Sequence, residues 1–319
     1  MKIKVLVLSA GGPAGKALCR CLKNEQIYLI GADCNAVNLN FIEADKKYLV
    51  PNATDEKYFK FIKDISEKEK IDYIFAQNDK EVERLAFFTD KLKASTFLPT
   101  YPVIKICQNK TTLFKVLNKD IPKFIDEHND EYDFCWIRAT EGAGGKGSLK
   151  ARGPADIHVW KELNKNIKDW QIVEYLPGKN IGVDIIMQDG EVIFYSMKER
   201  EKYLPGASMS GVTGSADIIK IIDDKNILDI VVNALRTLDP KIHGVFGVDL
   251  KGDIEGKYKI TEINPGRFLT SSLVSFHLTD YNMPLLLLKE FFDIEYKTLG
   301  PEIGIRIIRQ VDSFPMVIK

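Results

Sequence analysis

The sequence predicts an α/β domain with a parallel, Rossmann-like sheet, followed by an α+β domain of two subdomains. Three observations carry this reading. Strand-like apolar runs alternate with amphipathic helical stretches over the first hundred residues. Two prolines, Pro99 and Pro102, then interrupt regular structure. Beyond them the pattern changes to strands joined by Gly- and Asp-containing turns. A chain of 319 residues suffices for about two domains and a substantial core. The expected boundaries are 1–102 for the α/β domain, 103–175 for a small subdomain with a glycine-rich loop, and 176–319 for a C-terminal subdomain with a metal site.

Residues 4–8 form a short apolar run, read as a buried first strand. Gly11, Gly12 and Gly15 make a tight turn into a helix over 16–23. Residues 27–33 and 73–76 are further strands. Phe59, Ile62 and Ile65 recur at helical spacing within 55–70, and 81–93 is another helix. The glycine turn only approximates the G-x-G-x-x-G dinucleotide fingerprint, with Asp33 near the position of a ribose-binding acid. A modest anion or substrate site at that helix N-terminus is the better reading. Past the prolines, 103–117 reads as one helix carrying Lys110 and Lys115, ended by Ile121-Pro122.

The candidate chemistry begins at a strand ending in Arg138. Gly142, Gly144, Gly145 and Gly147 follow within six residues, with Lys146 among them. Without Cβ atoms, such a loop lets backbone N–H groups approach phosphate oxygens, to which Arg138 and Lys146 add charge. The spacing is not that of a Walker A loop. Residues 171–178 run from strand into turn. There Glu174 and the backbone of Tyr175 and Leu176 can hold a flat base and accept an exocyclic amine. The next strands are 182–187, carrying Asp184, and 192–197, followed by Lys198 and Arg200. The small-residue segment 206–214 suits a loop that covers substrate, and 198–214 is the candidate for closure.

Residues 244–250 and 259–263 read as a hairpin joined through Gly252, Asp253 and Gly256. Glu262 and Asn264 are two apart, so both leave one face of their strand. The pairing can bring Asp249 beside Glu262. Oxygen ligands on one face suit Mg²⁺, and Arg267, just past Pro265-Gly266, suits a phosphate or carboxylate. Residues 304–310 read as a last strand that either completes a sheet or reaches a second subunit.

Composition excludes several classes. Lys+Arg and Asp+Glu are balanced at 45 each, so no bulk charge recruits nucleic acid or an anionic membrane. No apolar run approaches the ~18 residues of a membrane span. The five cysteines lack metal-type spacing and read as reduced thiols of a cytoplasmic protein. His158, His243 and His277 are scattered and read as structural.

In this order the parts resemble the ATP-grasp superfamily. The matching pieces are Lys110 on a helix, Arg138 before the loop 142–147, Glu174 to Gly178, Asp249, and Glu262 to Arg267. The resemblance covers roughly residues 104 to 290 and is nearest the carbamoyl-phosphate-synthetase-like branch, which also places Arg before the glycine loop. It implies that ATP lies between two α+β subdomains. Lys110 and Arg138 would contact phosphates, and Glu174 and Leu176 would bind adenine. Asn180 and Asp184 would complete the nucleotide-binding set. Asp249, Glu262 and Asn264 would hold one or two Mg²⁺ ions, with Mn²⁺ able to substitute. Arg267 and Arg200 would be the catalytic cations. Two positions depart from the pattern: Asn180 stands where an acid is common, and Ala139 where proline is frequent.

The function so implied is an ATP- and Mg²⁺-dependent carboxylate–amine ligase that forms an amide through an acyl phosphate. Phosphoryl transfer needs positioning and charge neutralisation more than a dedicated nucleophile, which suits these residue types. The expected partners are a small-molecule carboxylate and an amine, with a homo-oligomer left open. Arg200, Ser208, Ser210 and Arg267, with Arg306 and Arg309, are candidate specificity residues. Two rival readings are a kinase-like phosphorylation on the same scaffold and an NAD-binding protein using the first domain.

Overall fold

The computed structural model describes residues 2–142, 145, 147–203 and 216–309, and the backbone of 316–318. The N-terminal part runs β1 (Ile3–Val7), α1 (Pro13–Cys21), β2 (Ile27–Asp33), α2 (Ala36–Leu39), β3 (Lys46–Leu49), α3 (Tyr58–Glu69), β4 (Tyr73–Phe75) and α4 (Asp79–Phe87). Its sheet is parallel in the order β3-β2-β1-β4, as the alternating pattern predicts. The strand β3 and the short α2 carry no apolar periodicity and escaped the sequence reading. Helix α4 starts at Asp79 because the Asn78 side chain accepts from the Lys80 N–H.

Next come α5 (Tyr101–Gln108), α6 (Lys110–Leu117), β5 (Cys135–Ala139), β6 (Leu149–Ala151), α7 (Pro154–Leu163) and β7 (Trp170–Glu174). The predicted single helix over 103–117 is two. Asn109 adopts an extended conformation, and its side chain accepts the Thr112 N–H, so it starts a second helix instead of continuing the first. Strands β6, β5 and β7 form a three-stranded antiparallel sheet.

The remainder is β8 (Asn180–Gln188), β9 (Glu191–Tyr203), β10 (Ala216–Ile222), α8 (Lys225–Leu238), β11 (Gly244–Gly252), β12 (Tyr258–Pro265), α9 (Thr270–Phe276), α10 (Met283–Phe291), β13 (Arg306–Ile308) and β14 (Met316–Ile318). Its sheet has the order β12-β11-β8-β9-β10-β13-β14. Strand β13 pairs antiparallel with β10, so the last predicted strand completes a sheet. One face is covered by α8, which buries Ile227, Val231, Ala234 and Leu235 at i, i+4, i+7 and i+8. Each large side chain so buried contributes about 1.5–3 kcal/mol. Val103, Cys107, Leu113, Phe114 and Leu117 of α5 and α6 join this core. The N-terminal core continues into α9 and α10 through Leu273, Phe276, Met283 and Leu286, which ties the two parts of the chain together.

Among the described residues no helix is long and apolar enough to cross a membrane. All five cysteines are free.

The first βα turn uses its glycines and Asp33 for packing. A Cβ on Gly11 would lie 2.4 Å from Asn38 Cβ, and one on Gly15 would lie 2.1 Å from Ser9 O. Asp33 is buried and accepts from the Gly11 and Asn35 N–H groups at 2.9 and 2.8 Å. Its carboxylate is thus committed to the turn rather than to a ribose.

Glu81 on α4 carries a pH dependence. Its Oε1 accepts from Ser9 Oγ at 2.8 Å and Tyr58 OH at 3.0 Å, while the buried Oε2 has no hydrogen-bond partner among the described residues. Burial pushes its carboxyl up from 4.5 to about 7. The folded chain therefore holds a proton that the unfolded chain releases. This contribution to stability is full below about 4.5 and is lost as pH rises through about 7. Glu81→Gln keeps the acceptor oxygen and removes the charge. It is expected to stabilise the protein at pH 8 by about 2 kcal/mol and to change little near pH 4.5. Thermal unfolding of both proteins at the two pH values checks this, and an equal difference at both refutes it.

Candidate active site

The metal-type residues come together on the β11–β12 hairpin. Its register sets Asp249 opposite Glu262 and Gly247 opposite Asn264. Asn264 Nδ2 donates to Asp249 Oδ2 at 3.3 Å. Arg200, reaching from β9, donates to Asp249 Oδ1 at 2.5 Å, to Asn180 Oδ1 at 3.2 Å and to Ser271 Oγ at 3.4 Å. Burial pushes the Asp249 carboxyl up, Arg200 opposes this, and the neighbouring Glu262 charge adds to it. The two carboxylates face each other across the hairpin, Asp249 paired with Arg200 and Glu262 with Lys110. Among the described residues no three His, Cys, Asp or Glu side chains cluster as a metal cage. Two carboxylates and an amide, Asp249, Glu262 and Asn264, are the residues here that could hold a Mg²⁺ ion, which commonly keeps water and phosphate oxygens as its other ligands.

Past β12 the chain turns at Gly266, whose φ of +71° disfavours any side chain. A Cβ there would also lie 2.7 Å from Val82 and 2.8 Å from Leu98. The turn delivers Arg267, which donates from Nε to Asp79 Oδ1 at 2.7 Å and from its terminal nitrogen to Asn264 Oδ1. Asp79 lies at the start of α4, so the N-terminal domain holds this cation against the end of β12.

Two further cations face the hairpin from the small subdomain. Lys110 is the first residue of α6, where a positive charge runs against the helix dipole. It is buried there and held by Glu262 Oε1 at 3.1 Å and the Gly142 carbonyl at 2.9 Å. Arg138 on β5 donates Nε to Gln171 Oε1 at 2.7 Å and sits 5.2 Å from the centre of the Phe114 ring. One terminal nitrogen is buried without a hydrogen-bond partner among the described residues. Burial lowers its pKa to about 10, with Glu262 pulling the other way. A buried guanidinium N–H lining an open cleft fits a phosphate oxygen. Of the glycine loop, Gly142, Gly145 and Gly147 have φ of +114°, +68° and +73°. Gly144 and Lys146 lie outside the described residues.

The other end of the cleft suits a base. Glu174 ends β7, and its Oε1 accepts from the Lys123 N–H at 2.7 Å and Lys259 Nζ at 2.6 Å. Tyr175 lines the wall and Leu176 is buried. Asn180 lines the cleft and donates to Tyr203 OH at 2.9 Å.

Several residues fall elsewhere than expected. Asp184 is fully buried, accepts the Leu269 N–H at 2.7 Å, and does not line the cleft. It drops out of the nucleotide-contact set because its face of β8 is closed over by α9. Residues 198–203, the first part of the expected closing loop, belong to β9. The rest of that loop, with Ser208 and Ser210, lies outside the described residues. Arg306 is held by both oxygens of Glu201 at 2.8 and 3.0 Å on a distant strand. Arg309 is likewise on that edge, its N–H donating to the Asp217 carbonyl. His243 packs 4.0 Å from Phe97, away from the cleft.

The sequence reading missed Lys251, Trp136 and Thr261, which line the cleft, and Asp79. Lys251 is two residues beyond Asp249, so strand alternation could have found it. Nothing in the local sequence of Asp79 links it to a residue 188 positions away.

Comparison with known proteins gives two family matches. Residues 5–97 match the description "PylC-like, N-terminal domain", and residues 107–271 match "ATP-grasp domain". No curated protein matches the chain by sequence. Among solved structures, the biotin carboxylase of Campylobacter jejuni in its β,γ-ATP complex superposes with a TM-score of 0.71 at 14% identity, over 97% of this chain and 76% of that one. The N5-carboxyaminoimidazole synthetase of Staphylococcus aureus complexed with ADP gives 0.70 at 14%, over 97% and 83%. The L-amino acid ligase of Bacillus licheniformis gives 0.70 at 11%, over 96% and 79%. These likenesses establish a shared fold.

Proposed function

Since the chain belongs to the ATP-grasp family, we propose that it is an ATP- and Mg²⁺-dependent ligase joining a small carboxylate to an amine. The observation that carries the reading is the convergence of Asp249, Glu262 and Asn264 on one hairpin face, with Lys110, Arg138 and Arg200 around the same cleft. The solved structures of similar fold include an amino acid ligase and a synthetase seen with ADP, which agrees with it.

In this reading the base lies by Tyr175 and Leu176, and the phosphates lie over Gly142, Gly145 and Gly147. Lys110 and the unpaired N–H of Arg138 hold phosphate oxygens. Asp249, Glu262 and Asn264 would hold Mg²⁺, which neutralises phosphate charge when bound. A carboxylate oxygen of the substrate attacks the γ-phosphorus, and the bond to the bridging oxygen breaks to release ADP. Arg267 and Arg200 balance the charge that develops. The amine nitrogen then attacks the carbonyl carbon of the acyl phosphate. Phosphate leaves, the nitrogen loses a proton, and an amide remains.

The test is ADP release with ATP and Mg²⁺ across a matrix of carboxylates and amines, with Glu262→Ala as control. ADP is expected only when both substrates are present, and to vanish in the variant. ADP that requires a single substrate, with a stable phosphorylated product, would replace the ligase reading with a kinase-like one.

A further inference from the structure

The polar face of the large sheet continues beyond the cleft. Cross-strand register places Asn264, Gly247, Asp184 and Ser196 in one row, and Glu262, Asp249, Gly182 and Lys198 in the next. Gly182 and Gly247 leave a notch between these side chains. Leu269 fills it: a Cβ on either glycine would lie 2.8 Å from the Leu269 side chain.

Beyond the notch, beneath α9, is a closed polar compartment. Asp184 Oδ1 accepts the Leu269 backbone N–H at 2.7 Å. Lys198 Nζ lies 3.9 Å from Asp184 Oδ2 and 3.8 Å from the centre of the Phe276 ring. Exposure is 0% for Asp184 and 1% for Lys198. Asp184 Oδ2, Lys198 Nζ and Ser272 Oγ all lack a hydrogen-bond partner among the described residues. Such a pair is a poor source of stability, because desolvation offsets its attraction. Its one well-formed hydrogen bond goes to the backbone two residues after Arg267.

We infer that Asp184 is a positioning residue for Arg267: with the notch of Gly182 and Gly247 it pins Leu269, and so sets the direction in which the Arg267 side chain leaves the turn. Lys198 Nζ, 3.9 Å from Asp184 Oδ2, opposes the burial that pushes the Asp184 carboxyl up. A carboxylate is a stronger acceptor for the Leu269 N–H than a neutral group and holds the turn more tightly. The inference rests on the proposed role of Arg267 at the transferring phosphoryl group.

Two readouts separate the claims. Amide hydrogen exchange at Leu269 reports the pin alone. Binding of MgADP with and without aluminium fluoride, a mimic of the transferring phosphoryl group, reports Arg267. Asp184→Ala is expected to speed exchange at Leu269 about tenfold or more. It should also cut the gain in affinity from aluminium fluoride to the level of Arg267→Ala, with MgADP affinity alone unchanged. Asp184→Asn, which keeps an acceptor oxygen, is expected to recover most of both. Gly247→Ala leaves Asp184 intact but crowds Leu269, so it should reproduce the Ala phenotype, and it serves if Asp184→Ala fails to fold. Wild-type exchange at Leu269 in Asp184→Ala, or in Gly247→Ala if the former is unfolded, overturns the inference. So does a folded Asn variant as impaired as the Ala variant. If Arg267→Ala keeps the full aluminium fluoride gain, the phosphoryl role of Arg267 falls, and with it this use of the pin; exchange at Leu269 still shows whether Asp184 holds the turn.

Discussion

Glu262→Gln is expected to lower Mg²⁺-dependent ADP release by about a thousandfold or more, on the order of 4 kcal/mol of transition-state stabilisation. Glu262 faces Asp249 across the hairpin, and together they carry the negative charge that a divalent cation needs. Gln keeps the shape and an acceptor oxygen but halves that charge. The loss should fall on the metal-dependent step and not on folding, because the Glu262 side chain is 31% exposed and Gln can still accept from Lys110. A steady-state assay across Mg²⁺ concentrations, beside a thermal melt, checks this. Full turnover at ordinary Mg²⁺ would remove Glu262 from the metal site. Unfolding at assay temperature would make it a structural residue.

Arg138→Met is expected to weaken MgADP binding by about 10- to 100-fold, the loss of one or two charge-assisted hydrogen bonds to phosphate. Its second signature is thermal stability that stays equal or rises. Arg138 is buried with one terminal nitrogen unpartnered, so the apo protein bears a desolvation cost that phosphate would relieve. Met has similar length and no charge to desolvate, although Gln171 loses its partner. Calorimetric titration with MgADP and a melt of the apo variant give the two numbers. Weak binding with a large fall in stability would mean that Arg138 supports the core against Phe114 and Gln171. Unchanged binding would place the phosphates elsewhere.

The parts of the site that were legible in the sequence are those set by short-range geometry. Strand alternation places Glu262 and Asn264 on one face; the register counted from the Gly252 to Gly256 turn would set Asp249 opposite Thr261, and an irregularity between Asp249 and Leu250 moves it opposite Glu262. The glycine-rich loop was legible for the same reason, since positive φ is a property of single residues. The split of the predicted helix at Asn109 was missed because the apolar pattern runs through it. The Asn109 side chain, capping Thr112, interrupts the helix without interrupting that pattern. Asp184 was misplaced because alternation says which residues share a face of β8, but not where along the strand that face is open or covered.

By itself the sequence determined the parallel N-terminal sheet, the hairpin that carries Asp249, Glu262 and Asn264, and the glycine loop that follows Arg138. All of these follow from the periodicity and backbone freedom of consecutive residues. Only the tertiary structure decided what neutralises each charge: Lys110 on Glu262, Arg200 on Asp249 and Asp79 on Arg267. It alone also decided that Asp184 lies sealed beneath α9. Each partner comes from a different element, dozens to nearly two hundred residues away, and what joins them is close packing in space, which leaves no period in the chain.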